Sequence, residues 1–201
     1  MKTAMQLAAI GHLDFGRRPS ARVTRWSALL VAALVAAVSS VSFASEAPGA
    51  ALARALCWGA WGVAVPVAAE LAGRGPTEAV RGLSEMVGVG PGGCALAAAA
   101  GAISGVTGRM ALVVASAAAI RGASAWALSL RALGAAVLIA ALYMVVAIGC
   151  RRLGGPRGTT LWWAVLFLPW LLADLGPGDA VASLPSAVDA LARLFLDGSP
   201  S

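Results

Sequence analysis

From Leu133 to Cys150 the chain runs eighteen residues without a charge and then meets Arg151-Arg152. A helix of that length rises about 27 Å, close to the roughly 30 Å hydrocarbon thickness of a bilayer. The paired arginines then read as an anchor on the cytoplasmic side. Similar apolar runs recur along the sequence. The chain is 60% hydrophobic and 12% charged, where a soluble domain carries about 25% charged residues. So few polar side chains cannot cover a water-facing surface, and lipid must cover much of the fold. The expected class is all-α: a polytopic helical membrane protein. Its apolar runs are rich in Ala and Gly, small residues that let membrane helices approach closely.

The net charge of +6 invites a nucleic-acid reading. The arginines, however, lie at the ends of apolar runs, where they anchor helices rather than build a basic face. No nucleic-acid partner is expected. Cys57, Cys94 and Cys150 all fall in or beside apolar stretches, without a CxxC or a Cys/His cluster, and the single His12 sits in the N-terminal segment. Buried small residues are the reading of these thiols, with no metal and no cofactor expected.

Residues 1–25 read as a polar, basic cytoplasmic tail containing Lys2, Arg17, Arg18, Arg22 and Arg25. A first span follows over Trp26 to Ala44. A cleavable signal peptide ending at Ser42-Phe43-Ala44, with Arg17-Arg18 imitating a twin-arginine motif, is the competing reading. The run of about 19 apolar residues exceeds the 7–15 of a signal's core, and more membrane sequence follows it. The second span covers Leu52 to Ala72, with Arg54 at its start, Pro66 inside and Glu70 near its end.

Residues 73–93 are polar and Gly-rich. Within them Val80, Leu83 and Val87 fall at i, i+3 and i+7, one face of a short helix that Thr77 is placed to cap. The third apolar region, Cys94 to Ile120, is interrupted by Arg109. Either the part up to Gly108 is an interfacial helix before a short span, or Arg109 faces protein or water within one long helix. The cost of an arginine at mid-membrane favours a place near the cytoplasmic interface. Gly101-xxx-Gly105 offers a close-packing notch.

Residues 121–131 read as a short connection before the fourth span, which ends at Cys150. The fifth span, Thr159 to Leu175, carries Trp162, Trp163 and Trp170 near its ends, as in an aromatic belt, with Pro169 expected to bend it. Leu184, Val188, Leu191, Ala192 and Phe195, around Pro185, suggest an amphipathic helix lying on the outer interface within residues 176–201. The domain at 26–175 thus holds five spans, or six if the tail helix enters the bilayer.

Orientation follows from the basic residues. With the N-terminus inside, Lys2, Arg17, Arg18, Arg22, Arg25, Arg74, Arg81, Arg151, Arg152 and Arg157 fall on the cytoplasmic side. Arg54, Arg121, Arg131 and Arg193 fall outside, with Arg109 assigned to neither side. Asp174, Asp179, Asp189 and Asp197 lie in the outer tail. The reading is a multi-pass protein of the cell (inner or plasma) membrane with a cytoplasmic N-terminus.

Gly88-Val-Gly90-Pro-Gly92-Gly93 spells G-x-G-x-x-G, yet no strand precedes it, and a flexible elbow is the better reading. No P-loop, H-E-x-x-H or G-x-S-x-G is present, so an enzyme acting alone is not expected. The intramembrane polar candidates are Glu70 and Arg109. Glu70, close to Gly73 and Arg74, is placed for a hydrated or paired role at the interface rather than for proton relay.

The order of these parts resembles the permease subunits of type-2 ABC transporters, the exporter-like class. The matching features are a basic tail and first span, a second span leading into a cytoplasmic segment from Glu70 through Gly93, and two spans ending in Arg151-Arg152-Leu-Gly-Gly-Pro-Arg-Gly. The segments Leu161-Trp-Trp-Ala-Val-Leu-Phe-Leu-Pro-Trp-Leu-Leu-Ala-Asp174 and Ser183-Leu-Pro-Ser-Ala-Val-Asp-Ala-Leu191 are similar to the closing parts of small bacterial members. The family carries six spans, where this sequence reads as five.

The resemblance implies a transport component without its own ATPase site, working as a homo- or heterodimer of permease subunits. A separate cytoplasmic ABC ATPase would close on ATP and push through residues 73–93. It implies ATPase contacts at Glu78, Arg81, Leu83, Ser84, Glu85 and Val87. A non-transporting scaffold or accessory subunit of a membrane complex is the alternative, and a proton-coupled carrier working through Glu70 is a third.

Overall fold

The computed structural model describes residues 2–41, 48–121, 126–175 and Val188. Among the described residues there are helices and no strand. In chain order they are α1 (Lys2–Arg17), α2 (Pro19–Val41), α3 (Pro48–Arg74), α4 (Glu78–Met86), α5 (Pro91–Arg121), α6 (Trp126–Gly154), a 3-10 turn (Gly155–Arg157) and α7 (Gly158–Leu175). Three stretches are long and apolar enough to cross a membrane: Ala55–Arg74, Pro91–Ser116 and Leu130–Leu168. The third runs through α6 and α7, which fold back on each other at the 3-10 turn, so that the Trp162 ring stands edge-on to Tyr143 at 5.6 Å.

The core forms where α3 and α6 lie side by side and α5 crosses them. Ala60, Ala64 and Ala68 of α3 and Ala135, Ala136 and Ala140 of α6 are all buried. Small side chains bring these backbones together, and larger groups such as Leu56 and Leu71 of α3 and Ile139, Tyr143 and Met144 of α6 are buried beside them. Pro66 lies inside α3 without ending it. Antiparallel to α3, α2 packs with Val31 against Gly59 and Ser20 beside Glu70.

Several details differ from what the sequence suggests. Residues 2–17, part of the polar, basic segment, form a helix, α1, which lies along α5 in the same direction, with Ile10 beside Cys94 and Phe15 against Gly105. The second helix begins at Pro19, a residue suited to a first helical turn, rather than at Trp26. The region interrupted by Arg109 is one continuous helix, α5, because α1 and α2 supply partners for the guanidinium. The connection expected over 121–131 is shorter, since α6 starts at Trp126. The supposed cleavage site at 42–44 lies outside the described residues. So does the tail helix after Pro185, apart from Val188, which is buried in the main core.

Candidate functional site

The short helix α4 is built by local chemistry. Thr77 has extended backbone and its Oγ1 accepts a hydrogen bond from the Val80 amide at 3.4 Å, an N-cap that satisfies an otherwise orphaned donor. Glu78 sits in the first turn, where a carboxylate suits the positive end of the helix dipole. At the other end the Val89 amide donates to the Ser84 carbonyl at 2.8 Å, and Gly88 takes φ 73°, a left-handed conformation that glycine adopts without a Cβ clash. The G-x-G-x-x-G run is therefore the exit of α4 followed by Pro91 at the start of α5.

One face of α4 is fixed to the bundle. Val80 is buried with Ile10 and Cys94, and Leu83 packs half-buried on the same cluster. Ser84 is buried as well. The opposite face leaves Glu78, Arg81, Glu85, Met86 and Val87 exposed. Of the residues named for an ATPase contact, Glu78, Arg81, Glu85 and Val87 share the outer surface, whereas Leu83 and Ser84 turn toward the bundle. Beside α4 lies a groove of about 380 Å³ lined by Arg81, Ser84, Glu85, Val89 and Cys94 among others.

The approach to α4 is held by a buried ion pair within residues 1–25, the segment that reads as a polar, basic tail. Arg18 Nε donates to Asp14 Oδ2 at 2.7 Å, and both side chains are almost wholly buried. Arg18 Nη2 also donates to the Gly75 carbonyl at 3.0 Å, while Asp14 Oδ1 accepts from the Thr77 amide at 3.3 Å. The pair thereby joins α1 to the turn that launches α4. A signal existed: Asp14 is the one acid before Glu46, it stands four residues ahead of Arg18, and Pro19 marks a new helix start.

α1 is in turn locked to α5. A Cβ on Gly101 would run into the Gly11 backbone, one on Gly11 into the Ala97 carbonyl, and one on Gly105 into the Phe15 ring. The Gly101-xxx-Gly105 notch is thus filled by α1 rather than by a membrane neighbour in sequence.

Glu70 and Arg109 are not in contact. Glu70 Oε2 accepts from the Ser20 amide at 2.9 Å, capping α2 from the side of α3, and Arg74 approaches Glu70 at 3.9 Å. Arg109 Nη2 donates to the Ala21 carbonyl at 2.9 Å, with its guanidinium 4.4 Å from the Phe15 ring centroid. Arg151 donates to the carbonyls of Gly73 and Gly155, tying the end of α3 to the turn before α7. These polar groups satisfy helix ends and the turns between them.

Comparison with protein-family models, with curated proteins and with solved structures finds no match. The likeness to ABC permeases accordingly rests on the order of parts alone.

Proposed function

We propose that this chain is the membrane-spanning permease subunit of an ATP-driven ABC transporter, with α4 as the helix on which a cytoplasmic ATPase subunit pushes. The observation that carries the reading is α4 itself. It is a capped helix of nine residues between two membrane-length helices, with one face pinned to the bundle and a charged face outward. Pressure on that outer face has a rigid route inward through the Asp14–Arg18 pair to α1, and through the glycine crossing to α5. Five crossings with a cytoplasmic N-terminus, in the cell membrane, belong to this proposal, as does pairing with a second permease subunit. These 201 residues hold no P-loop, which is compatible with an ATPase on a separate chain.

The test is purification of the tagged chain from its native membranes in mild detergent, with assay for a bound ATPase. An ATPase should co-purify. Reversing the outer face with Arg81→Glu and Glu85→Arg should lower its recovery at least about tenfold, since like charges across an interface cost several kcal/mol, while membrane insertion stays unchanged. If no ATPase accompanies the chain under conditions that keep another transporter intact, the permease reading fails and the non-transporting scaffold takes its place.

A further inference from the structure

A second feature lies away from α4, in the cleft between α2 and α5. Its volume is about 360 Å³, and its walls are Arg25, Ala28, Leu29 and Ala32 from α2 and Arg109, Leu112, Val113 and Ser116 from α5. The spacing is the same on both sides. Each helix contributes an arginine, then apolar groups three and four residues on, then a small residue at the seventh, which is one face of each helix. Arg109 reaches the Ala21 carbonyl, one turn before Arg25, so both arginines stand at the same end and the helices run in the same direction. One end of the cleft is therefore cationic, and the next two turns, about 10 Å of helix, are apolar. Ser116 does not break that apolar wall, because its hydroxyl donates to the Leu112 carbonyl at 2.9 Å.

Among the described residues no acidic side chain pairs with the positive charge at the head of the cleft: the ion pairs are Arg18–Asp14 and Arg74–Glu70, and neither is here. Arg109 rests on a carbonyl and an aromatic ring, neither of which is an anion. Its Nη1 is shielded from water and has no hydrogen-bond partner among the described residues. Two guanidiniums lining one cleft of a membrane protein, with a donor still unmet, call for an anion from outside the chain. Leu29 and Leu112 are both mostly exposed, so the apolar part of the cleft opens toward the lipid side of the bundle.

We propose that this cleft holds one anionic phospholipid, its phosphate at Arg25 and Arg109 and an acyl chain along Ala28, Leu29, Ala32, Leu112 and Val113. A free phosphate would answer the arginines and leave the apolar walls uncovered, whereas a lipid answers both. The inference rests on the membrane reading of the chain and not on the ATPase proposal, since it concerns lipid alone.

The experiment is native mass spectrometry of the full chain in mild detergent, after incubation with equal amounts of phosphatidylglycerol and phosphatidylcholine of identical acyl chains. One phosphatidylglycerol should be retained in preference, by about fivefold or more, from the attraction of a basic residue for an anionic headgroup. Arg25→Gln should bring the two lipids close to parity, and Arg25→Lys should keep most of the preference. Arg25 carries the test because it is exposed, while Arg109→Gln would also remove the bond to Ala21. Ala32→Trp fills the apolar part of the cleft and should expel the lipid although both arginines remain. Equal retention of the two lipids by the unaltered chain, or an unchanged preference in Arg25→Gln, would overturn the proposal. So would an Ala32→Trp variant that binds lipid normally. Inorganic phosphate in large excess should leave the lipid in place; displacement by phosphate would reassign the cleft to a free anion and also defeat the proposal.

Discussion

The place where α3 meets α6 and the place where α1 and α4 meet α5 are held by different forces. The first is an apolar seam in which buried alanines of both helices sit among larger groups such as Leu56, Leu71, Ile139 and Met144. The second is a set of directed polar contacts: a buried ion pair, a helix cap and two glycines in backbone contact. Helices already surrounded by lipid gain little hydrophobic free energy by touching one another, so the seam depends on close packing, which many arrangements of small residues satisfy. The polar end allows fewer arrangements, because each buried donor and charge needs a partner at a set distance and angle. The comparison assigns the position of α4 to the polar end.

The largest effect should come from Asp14→Ala. It leaves the Arg18 guanidinium buried without its carboxylate, which costs about 3–5 kcal/mol when one partner of such a pair is removed. Thermal unfolding of the detergent-solubilised chain, followed by circular dichroism, measures it. The double change Asp14→Leu with Arg18→Met should restore much of the loss, because an apolar pair needs no compensation. If Asp14→Ala melts with the unaltered chain, the polar end does not hold the fold as described.

A smaller effect is expected at the helix crossing. Gly101→Leu forces a side chain into the backbone of α1 and should cost about 1–3 kcal/mol by overpacking. It should also expose α1 to protease before the rest of the chain. Gly108→Leu is the control, since a Cβ there meets nothing within 4 Å. Equal protease sensitivity in the two variants would mean that α1 is not seated on α5.

The smallest effect should come from Arg74→Ala. Its side chain is 73% exposed and its approach to Glu70 is 3.9 Å, so solvent screening should hold the change to at most about 1 kcal/mol. A shift in melting as large as that of Asp14→Ala would erase the distinction between the surface pair and the buried one.

Much of the fold is legible in the residues. The apolar runs announced α3, α5 and α6, and the Thr77 cap with Val80 and Leu83 at helical spacing announced α4. The candidate surface on α4 was legible only in part. Periodicity puts Val80, Leu83 and Val87 on one apolar stripe, yet only Val80 and Leu83 pack on the bundle, Val87 is exposed, and Ser84, off the stripe, is buried. Which way a small polar residue such as Ser84 points depends on what packs over it, and that neighbour comes from elsewhere in the chain. The role of α1 was missed because its sequence is too polar to resemble a span and too ordinary to resemble a motif. Arg109 looked like an interruption for a related reason: its partners, Phe15 and the Ala21 carbonyl, lie more than eighty residues earlier.

By itself, the sequence determined the solvent this protein is built for, the helical class and the placing of the main apolar helices. Those follow from composition and from periodicity along one segment, both of which are local quantities. Only the tertiary structure decided that α1 lies on α5, that Asp14 and Arg18 close the turn into α4, and that Glu70 caps α2. It also brought Arg25 and Arg109 to one cleft. Each of these joins groups distant in sequence, and a buried charge or donor is satisfied by whatever the fold carries to within about 3 Å of it.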